Sequence, residues 1–415
     1  MTSICLINIG SELLNGRITN TNATRLGEML QEAGYLLSRT VVIHDDPDTI
    51  RKTVETEWEH HDVVLISGGL GPTKDDMTKH VLAAWWGSDL VEHAPTLAFL
   101  YKRYAERGRE MNDLTKAQAM APLGAEVLHN PVGTAPGLGF TKEGKWLVAM
   151  PGVPFELFTM VEGHVIPRLK QAFPGLLYLK SILRLSNVSE SEVAISIEDI
   201  EESFPKYMSM AYLPRADGLW LEIKAQAEQE QAAAVTSDLG RFVGAIRERV
   251  KDRLYAENDL PLPALLGEAL RAASATIAVA ESLTGGGLAA RIVSVSGASQ
   301  YFVGSVTAYT EAAKIAMLGV SPALIESKTV VSSEVAIAMA EGVRARFGST
   351  YALSTTGWAE APNDNTAPGA WVGYAGPQGS HAIWITLYYR RTVNIERIIE
   401  QALALIIEKI NRGSE

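Results

Sequence analysis

The feature that most constrains the fold is a recurring unit, in which a short strand that is apolar on both faces is followed by a helical pattern. The segment Ile4–Ile9 is apolar apart from Asn8, and the segments 62–67 (DVVLIS) and 146–150 (WLVAM) are of the same type. Strands that are buried on both faces are typical of a mostly parallel sheet covered by helices on both sides. In such sheets, ligands bind at the carboxyl ends of the strands.

This alternation occurs twice, with a different segment between. Residues 1–168 predict a first α/β domain, and residues 264–413 predict a second one. Between them, residues 169–258 combine short alternating strands with two polar helices, which predicts a small α+β domain. The charged stretch 251–259 (KDRLYAEND) precedes two prolines and predicts a linker.

Composition narrows the possible functions. The 415-residue chain has a formal net charge of −11, which argues against binding to a nucleic-acid backbone. Its single cysteine, Cys5, allows no internal disulfide and no cysteine cluster for zinc. The apolar start MTSICLINIG lacks a basic flank and a cleavage site, and no stretch approaches the ~20 apolar residues of a membrane helix. We therefore expect a cytoplasmic protein without membrane or nucleic-acid partners.

The first candidate site is the loop 67–76 (SGGLGPTKDD), which follows a buried strand and precedes an amphipathic helix. Gly68, Gly69 and Gly71 permit a close backbone approach, and the free N–H groups of a helix start favour an anion. Thr73 could cap the helix or contact a phosphate. Asp75 and Asp76 suit the first turn of a helix, or could hold a divalent cation. From this loop alone, a purely structural glycine turn is an equally good interpretation.

Other loops at strand ends favour a functional interpretation. They carry Gly, Asn, Thr and carboxylate side chains, and include residues 10–14 with Glu12, residues 21–23 with Asn22, residues 130–135, and residues 150–156 with Glu156. A purely structural set of loops would not need this chemistry at each strand end.

With these motifs in view, the chain resembles the CinA (competence/damage-inducible) family. The resemblance rests on GSELLNG, TNA, GGLGPTKDD, NPVGTAPG and MPGVPFE in the family's order. It implies an α/β protein that has an N-terminal molybdopterin-binding-like three-layer α/β/α domain. That domain is expected to hydrolyse ADP-ribose with a divalent metal ion (Mg, Mn or Co). The phosphate cradle would be Gly68, Gly69, Gly71 and Thr73, with Glu12 and Asn22 also binding substrate, and the metal would be bound by Asp75, Asp76 or Glu156.

The second candidate site begins at 281–286 (ESLTGG), a glycine turn after a predicted strand that could receive an anion at a helix start. Further along lie Ser299, Tyr309 and Lys314. A serine becomes a nucleophile when a base such as a buried lysine takes its proton. Spacing does not establish contact, and without further support these residues are more simply explained as turn and surface residues.

The same family resemblance covers this half, through ESLTGG, the Gly-Ala-Ser step, and Thr356-Gly357. It implies a C-terminal α/β domain that is similar to nicotinamide mononucleotide (NMN) deamidases and needs no cofactor. Ser299 would be the nucleophile, activated by Tyr309 and Lys314. The residues Ser282, Thr284, Gly285, Thr356, Gly357 and Arg391 would lie near the substrate.

The second half also departs from the family. Glu360 replaces a glycine, the loop 358–369 differs, and the family's Gly-Asp-Arg segment reads Tyr389-Arg390-Arg391. We therefore carry three hypotheses: a bifunctional hydrolase of ADP-ribose and NMN; a nucleotide-binding or regulatory protein with one or both heads inactive; and, on fold analogy alone, molybdopterin handling. The resemblance also implies a homodimer.

Overall fold

A computed structural model describes residues 2–186, 188–361 and 367–412. The chain divides into two compact units. The first comprises Met1–Leu179 and Ala225–Thr236, and the second comprises Lys180–Lys224 and Ser237–Glu415. Among the described residues, no helix is long and apolar enough to cross a membrane.

The N-terminal part alternates strands and helices as the sequence predicts. Its elements are β1 (Ile4–Ile9), α1 (Ser11–Leu14), α2 (Thr21–Glu32), β2 (Leu37–Ile43), α3 (Pro47–His60), β3 (Val63–Ser67), α4 (Thr78–Trp86), β4 (Leu90–Glu92), α5 (Ala94–Glu106), α6 (Asp113–Lys116), β5 (Met120–Pro122), β6 (Glu126–Leu128), β7 (Gly137–Lys142), β8 (Lys145–Met150), α7 (Pro154–Met160) and α8 (Ile166–Ala172).

Six of these strands form one sheet in the order β2-β1-β3-β8-β7-β6. The pairs β1/β2, β1/β3 and β3/β8 are parallel, whereas β7 is antiparallel to β8 and to β6. Side chains alternate between the two faces of a strand. Leu6 therefore joins the core beneath α2 and α7, and Ile7 joins the core beneath α3 and α4. This two-sided burial confirms the prediction of a mostly parallel sheet.

The central segment forms a four-stranded sheet in the order β10-β11-β9-β12. Its elements are β9 (Leu177–Leu185), α9 (Glu190–Glu201), β10 (Met208–Arg215), β11 (Gly218–Ala227), α10 (Ala232–Val250) and β12 (Leu254–Ala256). Burial alternates strictly along β11, so one face of the strand is in the core. Ser189 begins α9 with a capping box shared with Glu192.

The C-terminal part has a five-stranded sheet in the order β14-β13-β15-β16-β17. Its first three strands are parallel and its last two pairings are antiparallel. The elements are α11 (Leu262–Ala272), β13 (Ile277–Glu281), α12 (Gly287–Val293), β14 (Phe302–Thr307), α13 (Glu311–Leu318), α14 (Pro322–Lys328), α15 (Ser333–Phe347), β15 (Tyr351–Trp358), β16 (Gly369–Gly376), β17 (Gly379–Thr386) and α16 (Arg391–Arg412).

Helices cover both faces of this sheet. One core contains residues of α11, α12 and α16, and the other contains residues of α13, α14 and α15. The helix α16 is also tied to the central segment, because Ser186 Oγ donates to Glu408 Oε2 at 2.7 Å and Gln401 Nε2 donates to the Ala216 carbonyl at 2.6 Å. Near its start, α16 also contacts the residue that follows β15, because Asn394 Nδ2 donates to the Ala359 carbonyl at 2.8 Å.

One local prediction was wrong. The glycine loop 68–71 does not run straight into a helix, because α4 begins only at Thr78. Asp75 and Asp76 therefore precede the helix instead of occupying its first turn.

Candidate functional site

The turn after β13 is organised by Glu281, which is fully buried. Its carboxylate accepts three backbone hydrogen bonds, from the N–H groups of Gly286 (3.0 Å), Leu288 (2.9 Å) and Ala289 (2.9 Å). These groups belong to the start of α12 and have no partner within a helix. The expectation that this helix start receives a substrate anion is therefore wrong, since the protein's own carboxylate occupies it.

The residue after Glu281 pairs with a buried lysine. Lys314, on α13, has only 1% of its surface exposed, and its Nζ donates to Ser282 Oγ at 2.9 Å and to the Ala308 carbonyl at 3.1 Å. Burial lowers the pKa of the Lys314 ammonium, and the nearby Glu311 carboxylate offsets part of that effect. A buried lysine next to a hydroxyl, with a lowered pKa, is suited to accept the hydroxyl proton.

A cavity of about 310 Å³ opens beside this pair, and it is lined by Ser282, Lys314, Tyr309, Thr356, Gly357 and Arg391 among others. Tyr309 is 59% exposed, and its hydroxyl accepts a hydrogen bond from Arg391 Nη2 at 3.1 Å. The other end of that guanidinium lies 4.0 Å from the carboxylate of Glu360. The pair Ser282–Lys314 is thus at the buried end of the cavity, and the opposite charges of Arg391 and Glu360 are at its mouth.

Three residues that the sequence predicted for this site, Ser299, Thr284 and Gly285, do not line the cavity. Ser299 is exposed and lies outside the set of cavity-lining residues, whereas Lys314 contacts Ser282. Thr284 is buried and bonded to Thr355 at 2.7 Å, and Gly285 is exposed on the turn. The structure therefore revises the pairing of Ser299 with Lys314, because the lysine amine reaches the serine of the glycine turn instead.

The mouth of the cavity is fixed by Asn394, which is fully buried at the start of α16. Its amide nitrogen donates to the carbonyls of Ala359 and Tyr389, and its oxygen accepts from the Tyr389 N–H. Asn394 thereby holds the strand end that carries Glu360 next to the turn that carries Arg391. Of the altered loop 358–369, residues 362–366 lie outside the described residues.

The front loop approaches its neighbours so closely that glycine is required. Gly68 has φ +112°, and a Cβ there would come within 2.4 Å of the Ile9 carbonyl oxygen. Gly69 has φ +69°, and its Cβ would meet Thr78 Oγ1 at 2.1 Å. With Gly71, these glycines line a cavity of about 320 Å³ at the carboxyl ends of β1 and β3.

Four carboxylates line this front cavity, namely Glu12, Asp45, Asp75 and Asp76. Oxygen donors of this kind suit Mg²⁺ or Mn²⁺, so the donor set fits the metal that the resemblance implies. Among the described residues, however, no three of them have ligand atoms within 4.8 Å of one another. Phosphate oxygens or water would have to complete the coordination.

The other residues predicted for the front site, Thr73, Glu156 and Asn22, do not line this cavity. Thr73 is exposed, and its N–H and hydroxyl both donate to Asp76 Oδ2, so it holds the loop rather than capping α4. Glu156 accepts from Asn130 Nδ2 at 2.7 Å and packs against the loop at Gly133, away from the set of cavity-lining residues. Asn22 lines a neighbouring cavity of about 290 Å³, which shares Glu12 with the first.

Sequence reasoning missed two functional candidates that had a signal. Asp45 lies two residues after the end of β2, a parallel strand, and accepts from Ser11 Oγ at 2.7 Å. The rule that polar residues gather at strand ends would have found it once β2 was recognised. Glu281 lies inside a quoted motif, but only the fold shows that its carboxylate caps α12.

We predict that Glu281→Gln loosens the 282–289 turn, because an amide N–H₂ would face backbone N–H donors. We expect a loss of about 2–3 kcal/mol of local stability. Faster hydrogen exchange at the amides of Gly286, Leu288 and Ala289 would show it. The control is Glu268→Gln, which changes an exposed carboxylate on α11. Protection as in the wild type in both variants would refute the capping role.

Three family models match successive parts of the chain and together cover most of it. A probable molybdopterin binding domain matches residues 5–171, a damage-inducible protein CinA KH domain matches residues 180–256, and a CinA C-terminal domain matches residues 259–410. The three matches follow one another in the order of the three sheets described above.

Relatives that align along most of the chain indicate the same family. A CinA-like protein from Salinibacter ruber is 38% identical over 403 residues, covering 96% of this chain and 97% of the relative. A putative competence-damage inducible protein from Moorella thermoacetica is 36% identical, covering 84% of this chain and 83% of the relative.

Among solved structures, CinA of Thermoplasma acidophilum, described as of unknown function, is 36% identical and aligns over 41% of this chain and 96% of its own, with a TM-score of 0.37. The chain belongs to the CinA family, with a molybdopterin-binding-like N-terminal domain, a small KH-like middle domain and a CinA C-terminal domain.

Proposed function

We propose that the C-terminal domain is an amidohydrolase that converts NMN and water to nicotinate mononucleotide and ammonia. The observation that carries this proposal is the contact between Lys314 Nζ and Ser282 Oγ, which are 2.9 Å apart. The two residues lie at the buried end of a cavity that has Arg391 at its mouth. The nucleotide phosphate, an anion, would bind the Arg391 guanidinium. The carboxamide would then lie towards Ser282.

In this proposal Ser282 Oγ attacks the carboxamide carbon while Lys314 Nζ takes the hydroxyl proton. The C–N bond breaks, and Lys314 returns the proton to the departing nitrogen, so that ammonia leaves and an acyl-serine ester remains. Lys314 next takes a proton from a water molecule that attacks the ester, and the proton returns to Ser282 Oγ as the acid leaves. The N–H groups of Ser282, Gly285 and Gly286 already have partners in the protein, so the N–H of Leu283 would be the donor that stabilises the oxyanion.

We expect Ser282→Ala to lose roughly 10³-fold or more of the ammonia release from NMN, and Lys314→Met roughly 10²–10⁴-fold. Ser299→Ala is the matched control, because it removes an exposed hydroxyl from the same domain. It should retain most of the wild-type rate. Activity lost in Ser299→Ala and kept in Ser282→Ala would reverse the assignment. No ammonia from the wild type would favour the alternative of a regulatory, nucleotide-binding domain.

The same mechanism fixes the sign of the pH dependence. Lys314 must be neutral to accept a proton, so kcat/KM for NMN should rise with pH through one ionisation below the ordinary lysine value of 10.5. Glu311 raises the pKa of Lys314, so Glu311→Gln should move the inflection to lower pH. An inflection that moves upward or stays in place would rule out Lys314 as the titrating base.

We further propose that the N-terminal domain hydrolyses the diphosphate bond of ADP-ribose. The observation that favours it is the combination of a glycine loop and four carboxylates around one cavity. The backbone at Gly68, Gly69 and Gly71 would approach the phosphates, and Glu12, Asp45, Asp75 and Asp76 would hold a divalent metal. When bound, such a metal neutralises charge on the phosphate oxygens and favours attack by water.

We expect chelation by EDTA to stop AMP formation from ADP-ribose and added Mg²⁺ to restore it. Asp45→Asn should lose roughly 10²-fold or more, because it removes a charged ligand. Glu156→Gln should lose much less, since Gln keeps an oxygen that can accept from Asn130. Ammonia release from NMN reports in each variant on the C-terminal domain. If Asp45→Asn and Glu156→Gln lose the same fraction of ADP-ribose hydrolysis, Asp45 has no better claim than Glu156 to be a metal ligand.

A further inference from the structure

The two cavities of the N-terminal domain lie on opposite faces of one sheet. Asn8 and Ser67 project to the same face as Leu6 and Leu65, towards α2, and line the cavity of about 290 Å³. The glycine loop and Asp45 line the other cavity, of about 320 Å³. The cavities share Ile9, Glu12 and Gly152, so one extended ligand could cross the strand ends from one cavity to the other.

Two side chains that line the cavity beneath α2, Asn8 and Asn22, carry amide oxygens without partners. Asn8 is 1% exposed and Asn22 is half-buried, and both Oδ1 atoms are buried with no hydrogen bond among the described residues. A buried acceptor without a donor is unfavourable, because it has lost its hydrogen bonds to water and gained none in the protein. Buried polar atoms in folded proteins nearly always have a hydrogen-bond partner, so the pair points to a donor supplied by a ligand.

The orientation of both amides is fixed by backbone carbonyls. Asn22 Nδ2 donates to the Gly152 carbonyl at 2.8 Å, and Asn8 Nδ2 donates to the Val41 carbonyl at 3.4 Å. A carbonyl only accepts, so turning either amide around would place two acceptors against each other. The free groups are therefore acceptors, and the ligand must present N–H or O–H groups there.

The rest of the cavity wall suits a flat aromatic ring. Ile9, Leu13, Ile18 and Pro154 supply apolar surface, and Ile18 is 56% exposed at the rim. A nucleobase has both an apolar face and polar edges. A ribose has no such face, so a ribose alone would leave the apolar wall uncovered.

We propose that this cavity is a base subsite that selects adenine, with Asn8 and Asn22 accepting from its exocyclic amino group. The proposal rests on the proposed diphosphate hydrolase, whose phosphates would occupy the neighbouring glycine-loop cavity. Hypoxanthine has a carbonyl oxygen in place of the amino group. Its carbonyl oxygen would face the two amide oxygens of Asn8 and Asn22, and because all three atoms are acceptors, the site rejects it.

The test measures binding and turnover separately. Binding of AMP and IMP to the full chain is measured by calorimetry without metal, where no hydrolysis occurs. Turnover of ADP-ribose and of its hypoxanthine analogue is measured with Mg²⁺. We expect the wild type to prefer the adenine compound roughly 10-fold or more in both measurements. Asn8→Leu, of similar volume, should reduce the ratio to about 1–3.

Thr19→Val is the matched control, since Thr19 lines the same cavity and has no unpartnered buried atom. It should keep the preference. Circular dichroism checks that each variant is folded, and if Asn8→Leu is not, Asn22→Ser removes the second acceptor.

Five results would decide between these possibilities. Equal binding of AMP and IMP by the wild type overturns the subsite, as does a preference that survives in both Asn variants. Selective AMP binding without any ADP-ribose hydrolysis keeps the subsite and removes the proposed hydrolase. Hydrolysis without discrimination keeps the hydrolase and removes the subsite. A loss of binding for 2′-deoxy-AMP with no effect of the base would assign the oxygens to ribose, and the proposal would fail.

Discussion

The buried carboxylate of Glu281 is the constraint on which the C-terminal site depends. A carboxylate in a protein core is unfavourable unless its oxygens are hydrogen-bonded, and here three N–H groups at the start of α12 meet that need. This arrangement fixes the backbone that carries Ser282. It also removes the helix start as an anion site. Under the proposed function, the substrate phosphate would therefore bind Arg391, which lines the cavity.

The chemistry of Lys314 follows from what surrounds it. Its amine is buried against one hydroxyl and one carbonyl, and no ion pair to it is recorded among the described residues. An ammonium in such a place is poorly stabilised, so its pKa falls, and the neutral amine can act as a base. Glu311 opposes this effect from the first turn of α13, so the structure sets the basicity of Lys314 by two opposing influences.

The sequence predicted the strands, because apolar runs such as Ile4–Ile9 are local signals, and it predicted where polar residues would gather, because strand ends are shared edges. It did not predict which side chains meet. Ser282 and Ser299 are both serines near a glycine, and only the packing of α13 decides that Lys314 reaches the first. Likewise, Asp45 enters the front cavity because β2 pairs in parallel with β1, which is a long-range pairing.

The two sites differ in how many of their buried polar atoms already have a hydrogen-bond partner within the protein. No side chain that lines the described C-terminal cavity has a buried, unpartnered polar atom. That site is therefore preorganised, with Ser282 and Lys314 already in contact. In the front domain, Asn8 and Asn22 keep buried acceptors unpaired, and the four carboxylates stand apart from one another. Mutual repulsion of those carboxylates and the unpaired amides both disfavour the free state, and a cation and a hydrogen-bond donor would relieve them together. Binding at the front site should therefore couple a metal, a diphosphate and a base more strongly than the C-terminal site couples to its substrate.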